Sequence, residues 1–193
     1  MTEDPIQIFQ HWYAEATENS PLQHPKAVCV STINPKGIPE ARFVALKNVS
    51  SAGFTFCSSL NSAKGIAIDF NSQVALTFWW DRIERQVRVK GIAKRISDKD
   101  ADEYFRKRNR SAQLTSIVSK QSALLENSDR LKQKLSEVEK QFEDREIPRP
   151  DNWGGYCVKP ISIEFLKFRK NRFHNRTLFT CDRGEWSKQL LQP

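Results

Sequence analysis

From Ala27 to Thr32 the side chains alternate. Ala27, Cys29 and Ser31 fall on one side of an extended chain and Val28, Val30 and Thr32 on the other, the two-residue period of a half-buried strand. Asn34-Pro35-Lys36-Gly37 reads as a turn, and a second strand over 40–48 completes an antiparallel hairpin with the first, at 26–33. Further strands are predicted at 53–58, 73–80 and 84–96. In the last of these Val87 and Val89 oppose Gln86, Arg88 and Lys90, and Gly91 marks a bulge or sharp bend. Elsewhere the period lengthens to that of a helix. Over 4–18, Ile6, Phe9, Tyr13 and Ala16 share a face behind Asp4 and Pro5. A short helix is expected at 61–70, and another at 98–107 behind a Ser97–Asp100 capping box. The clearest runs over 128–143, where Leu131, Leu135, Val138 and Phe142 form one stripe and Pro148 and Pro150 bar its extension. Residues 108–124 show no clean period. Strand character returns at 153–166 and 176–180, and Trp186 belongs to a last short strand.

Strands about ten residues apart, with turns between and helices gathered in the second half, describe an α+β fold with a mainly antiparallel sheet, closed into a barrel rather than left open. The expected organisation is one domain over 1–193 with a helical insertion at about 97–145. Thirty-one Lys and Arg against 23 Asp and Glu give a net charge of +8, which suits an anionic partner. The basic residues are spread along the chain rather than blocked together, which argues against nucleic acid. Met1 to Pro5 lacks a signal-peptide pattern and no apolar run reaches membrane-spanning length. The four cysteines form no C-x-x-C pair, so reduced, buried thiols in a cytoplasmic protein are expected.

Near the C-terminus, Arg172-Phe173-His174-Asn175-Arg176 spaces two guanidiniums and an imidazole at every second position. If extended, all three line one face, suited to an anion. With only three histidines, and without HExxH, Walker, G-x-G-x-x-G or G-x-S-x-G motifs, no metal site, Rossmann site or serine nucleophile assembles. Basic and polar residues inside strand-like segments (Arg42, Lys47, Gln86) and Lys64 in a helix's first turn are singly ordinary surface groups. Jointly they can wall a site for an anionic cofactor. Tyr104 and Arg108, one turn apart, can clamp a phosphate.

Six segments in this order and spacing resemble the pyridoxamine 5′-phosphate oxidase family: Arg42 to Lys47, Glu84 to Val87, Tyr104-Phe105 with Arg108, Val118 to Ser122, Pro148 to Gly155, and Arg172 to Arg176. The resemblance runs from about Asp4 to Pro193. It implies a split β-barrel with peripheral helices, a homodimer, and two FMN sites at the subunit interface. By position, Arg42, Phe43, Val44, Lys47, Ser58, Lys64, Gln86, Gln121, Ser122 and Arg176 would bind FMN. Lys47, Tyr104, Arg108, Arg172 and His174 would bind a phosphorylated pyridoxyl substrate, with Arg172 and His174 as the catalytic pair against its ring. The implied reaction oxidises the 4′ carbon of pyridoxamine or pyridoxine 5′-phosphate and uses O2, releasing peroxide. Neither nucleic acid, membrane nor metal is implied. The chain departs from the family pattern at Ala63, where an Arg is usual, and at Ala112, where a phosphate-binding Ser is usual. It departs again at Leu166, where a Trp is usual, and at the Lys167-to-Asn171 approach, which usually contains Gly. A same-fold FMN oxidase acting on another aromatic substrate, as in phenazine biosynthesis, and a flavin- or pyridoxal-phosphate-binding protein with little turnover are the alternatives.

Overall fold

The alternating segments pair into one antiparallel sheet that closes on itself. In this computed structural model residues 3–18, 24 and 26–193 are described; Met1 and Thr2 of the N-terminal stretch lie outside them. Strands β1 (Ala27–Ile33), β2 (Pro39–Ser50), β3 (Gly53–Ser59), β4 (Gln73–Trp80), β5 (Arg85–Arg95) and β6 (Trp153–Lys167) run around a barrel in the order β3-β2-β1-β4-β5-β6, and β6 returns to β3. β7 (Asn175–Asp182) and β8 (Glu185–Leu191) continue the sheet beyond β6.

The length of β6 explains the split. One of its edges serves two partners in succession: Trp153–Val158 pair with β3, and Ser162–Lys167 pair with β7. β5 follows the other edge throughout. Where β3 stops, β7 takes over that edge, and β7 and β8 form a flap of sheet outside the closed barrel. The bulge expected at Gly91 is present. Lys90 opposes Ser162 but Gly91 opposes Pro160, leaving Ile161 as the extra residue. A Cβ on Gly91 would come within 2.4 Å of the Lys159 carbonyl oxygen, so a side chain there would force the strands apart.

The predicted alternation in β1 holds: Val28, Val30 and Thr32 are buried, and Ala27, Cys29 and Ser31 are half-exposed. Val28, Val30, Leu76, Phe78, Val87, Val89, Ile163 and Phe165 fill the barrel. Helix α1 (Pro5–Glu18), with the Asp4 carboxylate accepting from the Ile6 N–H, packs against this core. Phe9 inserts its edge against Phe54 and Phe78, each at 4.8 Å; such pairs contribute ~0.5–1.5 kcal/mol each beyond burial. Arg85 pins the helix, bonding Glu15 at 2.5 Å and lying 4.5 Å over the Trp12 ring.

Helix α2 (Ala63–Phe70) follows β3, and α3 (Asp98–Arg106), α4 (Arg110–Val118) and α5 (Ser128–Gln141) lie between β5 and β6. α4 occupies the segment that shows no clean period. Asn109 caps it through the Ala112 N–H, and only Leu114 and Val118 are buried on it, one turn apart. A helix with so narrow an apolar contact and so many hydroxyls leaves little periodic trace. Phe105, Leu114, Val118, Val138, Ile147 and Trp153 form a second core beneath the three helices, with the α5 residues Leu131 and Leu135 packed on it. Arg149 ties this unit to the barrel, bonding Asp98, Asp102 and the Trp153 carbonyl. Among the described residues, no helix is long and apolar enough to cross a membrane.

Two expectations are corrected. Arg172, His174 and Arg176 do not share a strand face. Arg172 sits in a turn with φ 65°, and β7 starts only at Asn175. The Asn171 side chain accepts from the Phe173 N–H and the Arg172 N–H bonds the Arg169 carbonyl, a local alternative to the sheet ladder. The four cysteines are free but half-buried rather than buried, each in a strand.

Candidate functional site

Polar residues from β2, β3, α2 and α4 converge on a cavity of about 330 Å³. Its cations are Lys47, Lys64 and Arg108; Ser58, Ser59, Thr115, Ser116, Ser119 and Gln121 add hydroxyls and an amide. Phe43, Val44, Ala45, Cys57 and Trp153 supply the rest of the wall, and no carboxylate lines it.

Lys64 is the anchor. It lies in the first turn of α2, behind the N-cap Ser62, whose side chain accepts from the Gly65 N–H. Only 6% of Lys64 is exposed. Its ammonium donates to Ser58 Oγ at 2.9 Å and Ser62 Oγ at 3.1 Å. Burial, with Arg42's charge adding to it, pushes the Lys64 pKa down to about 8. Ser58 Oγ also lies 3.4 Å from Gln121 Oε1. A lysine buried among hydroxyls at a helix N-terminus, with no acid in reach, is short of an anion.

Lys47 reaches the cavity through a bulge. Leu46 opposes Phe56 but Asn48 opposes Thr55, so Lys47 is the extra residue on β2. Lys47 and Asn48 are both exposed, between the buried Leu46 and half-buried Val49. The polar pair interrupting the two-residue period at Lys47-Asn48 is the sequence trace of this bulge.

Arg108 follows α3, its guanidinium 5.0 Å over the Trp153 ring. Nη2 donates to the Ala112 carbonyl at 3.1 Å and to Ser116 Oγ at 3.3 Å. Burial lowers its pKa. Arg108 Nε and Ser59 Oγ are buried without a partner, and both residues line the cavity. Burial also pushes the Cys57 thiol up to about 11 despite Lys47 and Arg108, so at neutral pH it is a wall and not a nucleophile. Tyr104 packs on the second core, its pKa raised chiefly by burial; it does not line the cavity.

The other expected residues gather elsewhere. Arg42 turns inward from β2 and bonds Thr32 Oγ1 at 2.7 Å and Glu40 Oε2 at 3.0 Å. Ser122, with φ 73°, lines an adjoining recess of about 470 Å³ that shares Ser59 and Gln121 with the cavity. Gln86, Leu166 and Arg176 stand side by side in one row across β5, β6 and β7. In the next row Glu164, 6% exposed, receives Arg88 from one side and Arg176 at 2.8 Å from the other. Burial alone would raise the Glu164 carboxyl; the hydrogen bonds from Arg88 and Arg176 outweigh it and hold the carboxyl below its usual value. Arg176 Nη1 further donates to the Gln192 carbonyl. Arg172 is exposed. His174 Nδ1 accepts from the Arg169 N–H at 3.0 Å, so the neutral ring carries its proton on Nε2. Phe168 lies edge-on between Trp79, at 5.0 Å, and His174, at 5.1 Å.

The structure thus brings Phe43, Val44, Lys47, Ser58, Lys64, Arg108 and Gln121 to one cavity and leaves Arg42, Gln86, Tyr104, Ser122, Arg172, His174 and Arg176 off its wall. Sequence reading missed Ser59, Thr115, Ser116 and Trp153 as cavity residues. An Asn109 cap would have revealed α4 and aligned Ala112 with Ser116 on one helical face.

The chain is similar to proteins of one family. A family profile described as pyridoxamine 5′-phosphate oxidase matches residues 15–142, and one described as the pyridoxine 5′-phosphate oxidase C-terminal dimerisation region matches 153–193. Curated proteins named pyridoxine/pyridoxamine 5′-phosphate oxidase from Rubrobacter xylanophilus and Flavobacterium johnsoniae are 42% and 43% identical over 190 residues. The match covers 98% of this chain and 87% and 89% of theirs. Among solved structures, PhzG from Burkholderia lata 383, in complex with tetrahydrophenazine-1-carboxylic acid, superimposes with a TM-score of 0.93 at 25% identity, covering 98% of this chain and 93% of that one. A pyridoxamine 5′-phosphate oxidase-related, FMN-binding protein from Nostoc punctiforme gives a TM-score of 0.78 at 16% identity, covering 100% and 99%, and supports the fold.

Proposed function

The chain belongs to the pyridoxamine 5′-phosphate oxidase family, and from that premise we propose that it is an FMN-dependent oxidase converting pyridoxamine or pyridoxine 5′-phosphate to pyridoxal 5′-phosphate with O2 as acceptor. One observation carries the reading. A cavity with three cations and no acid holds two buried polar atoms, Arg108 Nε and Ser59 Oγ, that lack any partner. Phosphate oxygens are acceptors of the kind these groups lack.

The residues fit FMN. Lys64, Ser58, Gln121 and the α2 N-terminus would hold its phosphate, with Arg42, Ser122 and the Phe43-Val44 segment beside them, and Gln86 and Arg176 would meet its ring system. When bound, FMN supplies the redox chemistry, taking an electron pair from the substrate's 4′ carbon and passing it to O2 to give peroxide. The chain's own groups supply binding and orientation. Arg108 would hold the substrate phosphate from the cavity wall with Lys47 beside it, and Tyr104, off that wall, is assigned to the phosphate by the family resemblance alone. Arg172 stabilises charge developing on the pyridine ring, and His174, its Nδ1 occupied by the Arg169 N–H, offers Nε2–H as a donor.

The working form is a homodimer. The dimerisation-region match at 153–193 supports this, as does the separation of the expected site into a cavity half and a flap half, which two copies can join. Phe43 and Trp79, on the outer face of the sheet, are 74% and 55% exposed and suit burial against a second copy.

The overall likeness to PhzG favours a second reading, oxidation of a tricyclic carboxylate. The experiment separates them. FMN-loaded protein given pyridoxamine 5′-phosphate should release peroxide and pyridoxal 5′-phosphate in equal amounts. Failure to take up added FMN would sink both readings. Flavin uptake with peroxide only from a dihydro- or tetrahydrophenazine carboxylate would establish the second.

A further inference from the structure

Ser116 lies one turn after Ala112 on α4, on the same helical face and on the cavity wall. Its Oγ accepts from Arg108 Nη2 at 3.3 Å and donates to the Ala112 carbonyl at 2.9 Å. That carbonyl also receives Arg108 Nη2 at 3.1 Å. The arrangement has two consequences. Ser116 and the Ala112 carbonyl together hold one end of the Arg108 fork while Trp153 supports its plane, so the guanidinium is set before any ligand arrives. The Ser116 hydroxyl hydrogen is also releasable. If it rotates toward a phosphate oxygen, the Ala112 carbonyl keeps the Arg108 bond and nothing buried is left unpaired. By contrast, position 112, where the family resemblance expects a phosphate-binding hydroxyl, offers only a methyl group.

We propose that Ser116 is the specificity-determining hydroxyl of the substrate-phosphate subsite, orienting Arg108 and donating to the phosphate in place of a side chain at 112. This rests on the phosphorylated substrate of the reading above. It predicts that the site's preference for a phosphorylated pyridoxyl compound over its unphosphorylated counterpart depends on Ser116.

The test is calorimetric titration of FMN-loaded protein with pyridoxal 5′-phosphate and, separately, with pyridoxal. Retained FMN certifies that each variant is folded. Ser116→Ala should weaken the phosphate ester about ten- to hundredfold, the usual loss for a hydrogen bond to a charged group, and leave pyridoxal unchanged. Ser116→Thr, which keeps the hydroxyl, should bind like the wild type. Ala112→Ser introduced into the Ser116→Ala background should recover part of the loss by restoring a hydroxyl one turn away. Wild-type affinity for pyridoxal 5′-phosphate in Ser116→Ala overturns the proposal while leaving the oxidase reading intact, as does an equal loss for both compounds. A wild-type protein that binds FMN but not pyridoxal 5′-phosphate instead overturns the substrate reading, and this inference with it.

Discussion

The cavity beside α2 and the flap beyond β6 are assembled in opposite ways. In the cavity the buried Lys64 and half-buried Arg108 are held by rigid neighbours. Lys64 is seated by two serines within a helix's first turn, and Arg108 is braced by a ring, a hydroxyl and a carbonyl. In the flap, Arg172 is exposed in a left-handed turn secured by short-range bonds among residues 169–174. Arg176 is fixed by Glu164 of β6, and Phe168 by Trp79 and the Glu84 carbonyl, but none of these contacts holds Arg172 itself. The cavity is therefore preorganised within one chain, at a cost carried by the ligand-free protein, whereas the flap, under the function proposed above, would be completed by an opposing surface.

Lys64 offers the hardest test of that contrast. Because its pKa falls from 10.5 to about 8, the unfolded chain binds the proton more tightly across that interval. Ligand-free stability should rise with pH from 8 to 10.5, and the full cost of the buried ammonium is present below 8. Lys64→Met removes that cost. It should raise the stability of the ligand-free protein by roughly 1–3 kcal/mol and weaken FMN by about a hundredfold through loss of a charge-assisted contact. Thermal melts with and without FMN read both effects. A Met variant that melts lower without FMN, or binds FMN as before, would break the claim that the cavity stores strain for its ligand.

The barrel was readable in advance because a two-residue period with intervening turns constrains strands locally, and the Gly91 bulge was readable because only glycine tolerates that approach. α4 was not, since its apolar contact is too narrow to print a period. The site divided along the same line. Lys47, Ser58, Lys64, Arg108 and Gln121 were recognisable from position and meet in one cavity. The regular spacing of Arg172, His174 and Arg176 suggested a strand face that the Asn171 turn abolishes. Ser116 escaped notice because its importance lies in being bonded to Arg108, a relation that spacing expresses only once the helix is known.

Glu164 tests the flap at its firmest point. Its carboxyl is held below its ordinary 4.5 by Arg88 and Arg176 against the opposing effect of burial. It contributes stability above pH 4.5 that is lost as pH falls through the lowered folded value. Glu164→Gln should cost about 1–2 kcal/mol near neutrality, discounted because Arg88 is 48% exposed. It should also flatten the acid limb of the stability curve. Denaturant unfolding repeated at several pH values measures both. An unchanged acid limb would mean that the two arginines are not held by this charge.

Phe168 carries the smallest expected effect and bears directly on how loosely the ring end is held. The family resemblance expects Trp at 166 and a glycine in the approach that follows; this chain has Leu166 and, two residues on, a phenyl ring between Trp79 and His174. Edge-on aromatic contacts of this kind contribute about 0.5–1.5 kcal/mol, enough to restrain an imidazole on an otherwise exposed turn. Phe168→Ala should leave FMN affinity intact and reduce turnover roughly two- to tenfold, in line with that energy. It should also release His174 from its single tautomer. The chain has only three histidines, so imidazole nitrogen shifts can follow His174 directly once His174→Asn has assigned its signals. The wild type should show bare Nδ1 and protonated Nε2, and Phe168→Ala an averaged pair. If the averaged pair is already present in the isolated wild type, the Arg169 bond alone does not hold the ring, and the flap acquires its catalytic geometry only against the second subunit.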